Sequence, residues 1–233
     1  MNITQCKALL ESMADMSKAE HFGRFFKSGP GQYGEGDRFL GIPVPATRSV
    51  AVRCTEFDTC KIAALLRDPF HEVRLLGALL LVKFYSRERA RRDEVAAFYL
   101  KKLELFNNWD LIDLTCYNIL GHYLLDRNRA PLYELALSGN LWRRRAAIVS
   151  TMAFIRVRRE TEETFRIAEM LLGDREDLMH KAVGWLLREA GKVSRQGLDA
   201  FLEAHFRSMS RTALRYAIEK HPETERKAWL SKR

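Results

Sequence analysis

The sequence predicts an all-α fold, a solenoid of paired helices, on two observations. Helical periodicity runs almost unbroken from about residue 46 to residue 230, after two short helices at the start, and no segment shows the apolar–polar alternation of a half-buried strand. The second helices of successive pairs also repeat, their apolar faces superposing at near-constant spacing, and such self-similarity is the mark of a repeat architecture.

At 233 residues and 47% hydrophobic content the chain can bury a sizeable core, so disorder is excluded. Its 39 Lys and Arg against 30 Asp and Glu leave a formal charge of +9, which favours a polyanionic partner, either nucleic acid or an anionic membrane surface. No apolar run approaches the roughly 18 residues of a membrane span, and the N-terminus has neither the basic nor the apolar segment of a secretion signal. The expectation is a cytoplasmic protein with no membrane partner. Cys6, Cys54, Cys60 and Cys116 are scattered, without a C-x-x-C pair or a histidine at metal-ligand spacing, and read as small buried hydrophobes. The six histidines, His71 among them, fall into no metal motif and read as surface or satisfied core residues; no serine occupies a nucleophile-elbow pattern.

Two short helices open the chain at 3–15 and 18–27, the second starting at Ser17 and carrying Phe22, Phe25 and Phe26 as a core-facing stripe. The glycine-rich loop 28–38 lacks both the P-loop pattern and a preceding strand, so it is a connector from which Gln32 or Tyr33 can still reach a ligand. A helix follows from about Ala46, where Pro43 and Pro45 suit the approach to a first turn. Further helices are expected at 58–67, 70–86, 89–105, 109–126, 130–138, 141–157, 162–173, 177–192, 195–206, 211–220 and 223–230. The clearest breaks between paired helices are Arg67-Asp68-Pro69, Asn107-Asn108, Ser138-Gly139-Asn140 and Gly173-Asp174-Arg175. The basic run from Arg87 to Arg92 is interleaved with acids and reads as a solvated helix end.

Matching the apolar faces of the second helices superposes Arg74, Asp113, Arg145, Lys181 and Arg215 at spacings of 39, 32, 36 and 34 residues, with Arg48 an earlier and less regular member. Those intervals are near the range of HEAT-like repeats. The architecture expected for residues 1–233 is therefore a single domain of about six helical pairs, a curved superhelix with a basic concave face.

Five of the six matched residues are cations, and a row of cations on one face of a solenoid makes a track for a phosphate backbone. The alternative is that these side chains make structural bonds between adjacent repeats. Asp113 breaks the row, and because an acid weakens the binding of a polyanion it needs a reason of its own. Asp110 is accounted for by the helix dipole, since it falls in the first turn after an asparagine cap. Asp113 lies beyond that turn, and either pairs with a cation such as Arg145 or is an ionised carboxylate held to face developing positive charge. Trp109 stands four residues before Asp113, Trp142 three before Arg145 and Trp185 four after Lys181, so three of the four tryptophans share a helical face with the row. They are either core packing or flat surfaces for sugars and bases, whereas Trp229 packs the last helix.

The segments Phe39-Leu40-Gly41-Ile42 with Pro45 and Arg48, Trp109-Asp110-x-x-Asp113, Trp142-x-x-Arg145-Ala146-Ala147-Ile148 and Lys181-Ala182-x-Gly184-Trp185-x-Leu187-Arg188-Glu189, taken in order over residues 18–220, resemble the AlkD-type DNA alkylation repair glycosylases. The resemblance implies an enzyme that hydrolyses the N-glycosidic bond of positively charged N3- and N7-alkylpurines in duplex DNA. It implies no metal or organic cofactor and no tight pocket for a flipped base. It assigns Asp113 as the catalytic carboxylate, Trp109 and Trp185 as surfaces against the lesion nucleotide, and Arg145 as a phosphate ligand beside it. Arg188 and Lys192 are carried over as DNA-backbone contacts, and Lys181, Arg74 and Arg215 join them from the cation row. A cationic purine leaves without a general acid, so one carboxylate serves where ordinary glycosidases use two. The enzyme is expected to act as a monomer on double-stranded DNA. Two other readings stay open: a solenoid that binds damaged or branched DNA without catalysis, and a scaffold for protein partners.

Overall fold

The structure, a computed structural model, describes residues 1–232, which are predominantly helical; in place of strands the described residues form two isolated bridges, Asn2 to Glu56 and Arg38 to Phe70. The chain divides into two compact units, Met1–Thr115 and Cys116–Arg233.

In the first unit α1 (Ile3–Glu11) begins with a capping box, in which the Asn2 and Gln5 side chains each accept from the other's backbone N–H. The next helix, α2 (Met16–Phe25), starts earlier than Ser17: Asp15 is its cap, and the Ser17 hydroxyl only supports that carboxylate at 2.6 Å. Its aromatic stripe divides as well, with Phe26 buried, Phe22 partly buried and Phe25 57% exposed. Then come α3 (Val44–Arg53), α4 (Thr59–Leu65), α5 (His71–Arg87), α6 (Arg92–Lys101) and α7 (Trp109–Cys116).

The hub is α5, on which α3, α4 and α6 all pack, and every residue from His71 to Leu81 is buried. A helix buried all round has no polar face to spare, so each charged group in it needs an internal partner. Glu72 finds three: its carboxylate accepts from the backbone N–H groups of Leu40, Gly41 and Ile42 at 2.9, 2.9 and 3.2 Å. The Phe39-Leu40-Gly41-Ile42 segment is thus a strap clamped to α5. Gly41 has a φ of +77°, and a Cβ there would come within 2.0 Å of the Asp15 carbonyl oxygen, so glycine is required on both counts.

The second unit is built from the hairpins α8 (Ala130–Ala136) with α9 (Leu141–Ser150) and α10 (Glu162–Met170) with α11 (Asp177–Gly191), then α12 (Arg195–His205) and α13 (Arg211–Ala217), both packed on α11, followed by α14 (Glu223–Ser231). Helices α9, α11 and α13 pack in succession and α8 packs on α10, the two-layered arrangement of an α-solenoid. Gly184 lets α11 and α13 approach closely, because a Cβ at that position would lie 2.4 Å from the Ala213 carbonyl oxygen. Two long helices expected from periodicity are interrupted by π-helical turns, Tyr117–Gly121 after α7 and Phe154–Arg158 after α9. Three cysteines are buried as expected and Cys60 is exposed. No helix among the described residues is long and apolar enough to cross a membrane.

Candidate functional site

Helix bounds fix the register of the charged row. Arg48, Asp113, Arg145, Lys181 and Arg215 are each the fifth residue of their helix, in α3, α7, α9, α11 and α13 respectively. Arg74 is not part of this row: it is the fourth residue of α5, and the fifth is Leu75. Its counterpart is Arg144 of α9. Nη1 of each donates to the carbonyls six and five residues back, Arg74 to Asp68 and Pro69 at 2.9 and 3.2 Å, and Arg144 to Ser138 and Gly139 at 3.1 and 2.9 Å. His180, the fourth residue of α11, repeats the pattern, with Nε2 2.7 Å from the Asp174 carbonyl oxygen. The fourth position ties α5, α9 and α11 to the turns before them. Arg74 is 5% exposed, and its Nη2 is 2.6 Å from Asp37 Oδ1. The expectation that it contacts the DNA backbone is therefore corrected, on this ion pair and not on burial: the guanidinium charge is matched by the Asp37 carboxylate inside the first unit, where charged groups must be paired to be buried.

The start of α7 rests on the same carboxylate. Asn107 and Asn108 donate their side-chain amides to Asp37 at 3.2 and 3.1 Å, and the Asn108 side chain accepts from the Trp109 N–H at 2.8 Å. Asp110 does more than answer the helix dipole, because its Oδ2 lies 2.9 Å from His71 Nε2. On the other side of the imidazole, Nδ1 is 3.5 Å from Asp37 Oδ2, at ion-pair distance. Burial drives the His71 pKa down, but the charge and hydrogen bond of Asp110, with the contact from Asp37, outweigh it and push the value up to about 9. For Asp37, burial favours the neutral acid, and the partners His71, Arg74 and Asn108 together hold its carboxyl below the usual range.

Rings enclose this cluster. The imidazole lies against Phe26 and Phe39, with centroids 4.6 and 5.2 Å away, and Phe26 stacks on Trp109 at 5.6 Å with 21° between the planes. Phe25 meets Trp109 edge-on at 6.1 Å. Asp113, a turn further along α7 on the side of Trp109 and Asp110, is partly buried.

The remaining candidates lie in the second unit. Arg145 is 5% exposed and donates to the Leu178 carbonyl at 2.7 Å, a bond between adjacent hairpins. Lys181 is half-exposed and pairs with Asp177 at 2.6 Å. Trp185 is partly buried on the same helix, whereas Trp142 and Trp229 are buried and belong to the core. Arg188 pairs with Glu219 and, at 3.6 Å, with Glu189, which also accepts from Lys192 at 2.7 Å; Arg215 is exposed on α13.

Asp37 and His71 were not singled out by the sequence. They stand 34 residues apart, in a glycine-rich loop and one residue after a Pro-Phe helix start, and no local pattern brings them together. Among the described residues, no group of three or more His, Cys, Asp or Glu is arranged to hold a metal ion.

Residues 6–221 match the model of the family described as DNA alkylation repair enzyme, and the chain belongs to that family. No curated protein matches it in sequence. Among solved structures it is similar to a predicted DNA alkylation repair enzyme from Enterococcus faecalis, with 18% identity and a TM-score of 0.67 over 90% of this chain and 97% of that one, a likeness of fold. Family membership carries a role in the repair of alkylated DNA and makes DNA the partner.

Proposed function

We propose that the protein is a DNA glycosylase that removes positively charged N3- and N7-alkylpurines from duplex DNA. The observation that carries this reading is a single carboxylate, Asp113: among the fifth residues of α3, α7, α9, α11 and α13 in this chain of the DNA alkylation repair family, it alone is an acid, beside Arg48, Arg145, Lys181 and Arg215.

The chemistry suits one acid. As the bond between C1′ and the purine nitrogen breaks, the electron pair neutralises the cationic base and positive charge moves to the sugar. Asp113 stabilises that charge, and water adds to C1′ and gives up a proton, leaving a free base and an abasic site. Trp109 and Trp185 act as surfaces against the lesion nucleotide, and Arg145 holds a phosphate. Lys181, Arg188, Lys192 and Arg215 hold the backbone more remotely. No general acid and no cofactor enter, and a base of this kind is released without a tight flipping pocket.

The reading is tested on duplexes carrying one 7-methylguanine or one hypoxanthine. Release of 7-methylguanine with hypoxanthine left in place is the expected result, because only the first is a cationic leaving group. Binding of both duplexes with release of neither would make the protein a non-catalytic binder of damaged DNA.

A further inference from the structure

We propose that His71 is a positioning residue for this site: as a cation wedged between Asp37 and Asp110, it fixes the first turn of α7 and with it the Trp109 ring and the Asp113 carboxylate. The inference rests on the glycosylase reading of Asp113 and adds to it a residue that never touches the substrate.

Four ionisable groups from three elements face one another here: Asp37 from the loop ahead of α3, His71 and Arg74 from α5, and Asp110 from α7. Glu72, the neighbouring acid on α5, is turned away to the N–H groups of Leu40, Gly41 and Ile42. With two carboxylates and one guanidinium, the cluster is neutral only if the imidazole carries a proton on both nitrogens. A neutral imidazole would turn a bare lone pair towards either Asp37 or Asp110, in a place where an uncompensated charge is costly. The ring faces argue the same way, since Phe26 and Phe39 offer their π-systems to a cation.

Two routes connect this charge to the candidate catalytic group. Through the backbone, Asp110 follows Trp109 in the first turn of α7 and stands three residues before Asp113, its neighbour on the helix surface, so the His71 bond sets the rotation of that turn. Through the rings, Phe26 touches both the imidazole and the Trp109 indole. Removing the charge leaves the partly buried Asp110 against a neutral group; the carboxylate then turns to water and takes the first turn of α7 with it. The loss falls on the chemical step, which tolerates little misplacement, more than on duplex binding.

The experiment follows single-turnover release of 7-methylguanine from a duplex between about pH 6 and pH 10 for wild type, His71→Gln and His71→Arg, with duplex affinity and thermal unfolding measured alongside. Wild type is expected to lose about tenfold in rate with a midpoint near pH 9 while affinity changes less than about twofold. His71→Gln, still folded, is expected to be slower by about 30-fold at neutral pH and to lack that limb. His71→Arg keeps the cation, so it restores the rate to within about fivefold and also lacks the limb. A folded His71→Gln with the wild-type rate and pH profile overturns the proposal, as does a limb that persists in His71→Arg. If wild type releases no base, the glycosylase reading fails and the positioning claim is decided separately by ¹⁹F spectra of protein labelled with 5-fluorotryptophan. The Trp109 resonance, assigned through Trp109→Phe, must then shift with a midpoint near pH 9 in wild type and stay fixed in His71→Gln; a wild-type resonance that does not titrate overturns it.

Discussion

In the first unit Asp37, His71 and Arg74 form a buried cluster with the partly buried Asp110 where α5 and α7 begin, whereas in the second unit the half-exposed Lys181 and Lys192 pair with Asp177 and Glu189 along α11. Burial separates them: a buried set specifies geometry and breaks at high cost, and an exposed set exchanges partners at low cost. The first behaviour suits the support of a reacting group. The second suits a surface that must release its acids to take up phosphates.

The sharpest way to break the contrast is at Glu72. Glu72→Ala leaves three buried N–H groups on the strap without an acceptor and is expected to cost on the order of 4 kcal/mol in a denaturant titration. A cost under about 1 kcal/mol would mean that the strap finds other partners and that burial does not set its geometry.

Next comes pH. The folded His71 value, about 9, lies above the ordinary 6.5, so the folded protein holds a proton that the unfolded chain has lost in that interval. Its contribution to stability is complete below about pH 6.5 and is lost as pH rises through about 9, a fall of at most about 3 kcal/mol. Asp37 has the opposite sign. Its carboxyl is held below the usual 3.8, so its contribution is present above that value and disappears as pH falls through the lowered one. Thermal melts across both windows check the two slopes, and His71→Gln is expected to abolish the alkaline one and to weaken the acid one, because His71 is among the groups that lower Asp37.

Smallest are the surface pairs. Lys181→Ala and Lys192→Ala are each expected to change stability by less than about 0.5 kcal/mol, and to lower the slope of log affinity for duplex DNA against log salt by about 1. An unchanged slope would remove those lysines from the DNA-contact set.

The helices and their pairing were legible in the sequence because a 3.6-residue period and short breaks survive in any repeat of this kind. The register failed by one residue at Arg74, since in Arg74-Leu75-Leu76 the apolar pattern alone does not separate the fourth position, turned to the preceding turn, from the fifth. Asp113 stood out by a change of sign in a row, which needs only alignment within the chain. Asp37 and His71 did not stand out because the reason for each lies in the other and in Asp110, 39 residues beyond His71, and such a pairing is created by folding. Asp110 itself was explained too cheaply: the helix dipole is a sufficient reason for an acid in a first turn, and it hid the buried histidine opposite.

The central claim is that Asp113 performs the chemistry. Single-turnover release of 7-methylguanine by Asp113→Asn, measured beside its affinity for the same duplex, tests it most directly. The account predicts a loss of at least about 100-fold in rate with affinity unchanged or slightly tighter, because a negative charge has been removed from a surface that binds a polyanion. Release at the wild-type rate by a folded Asp113→Asn would contradict it.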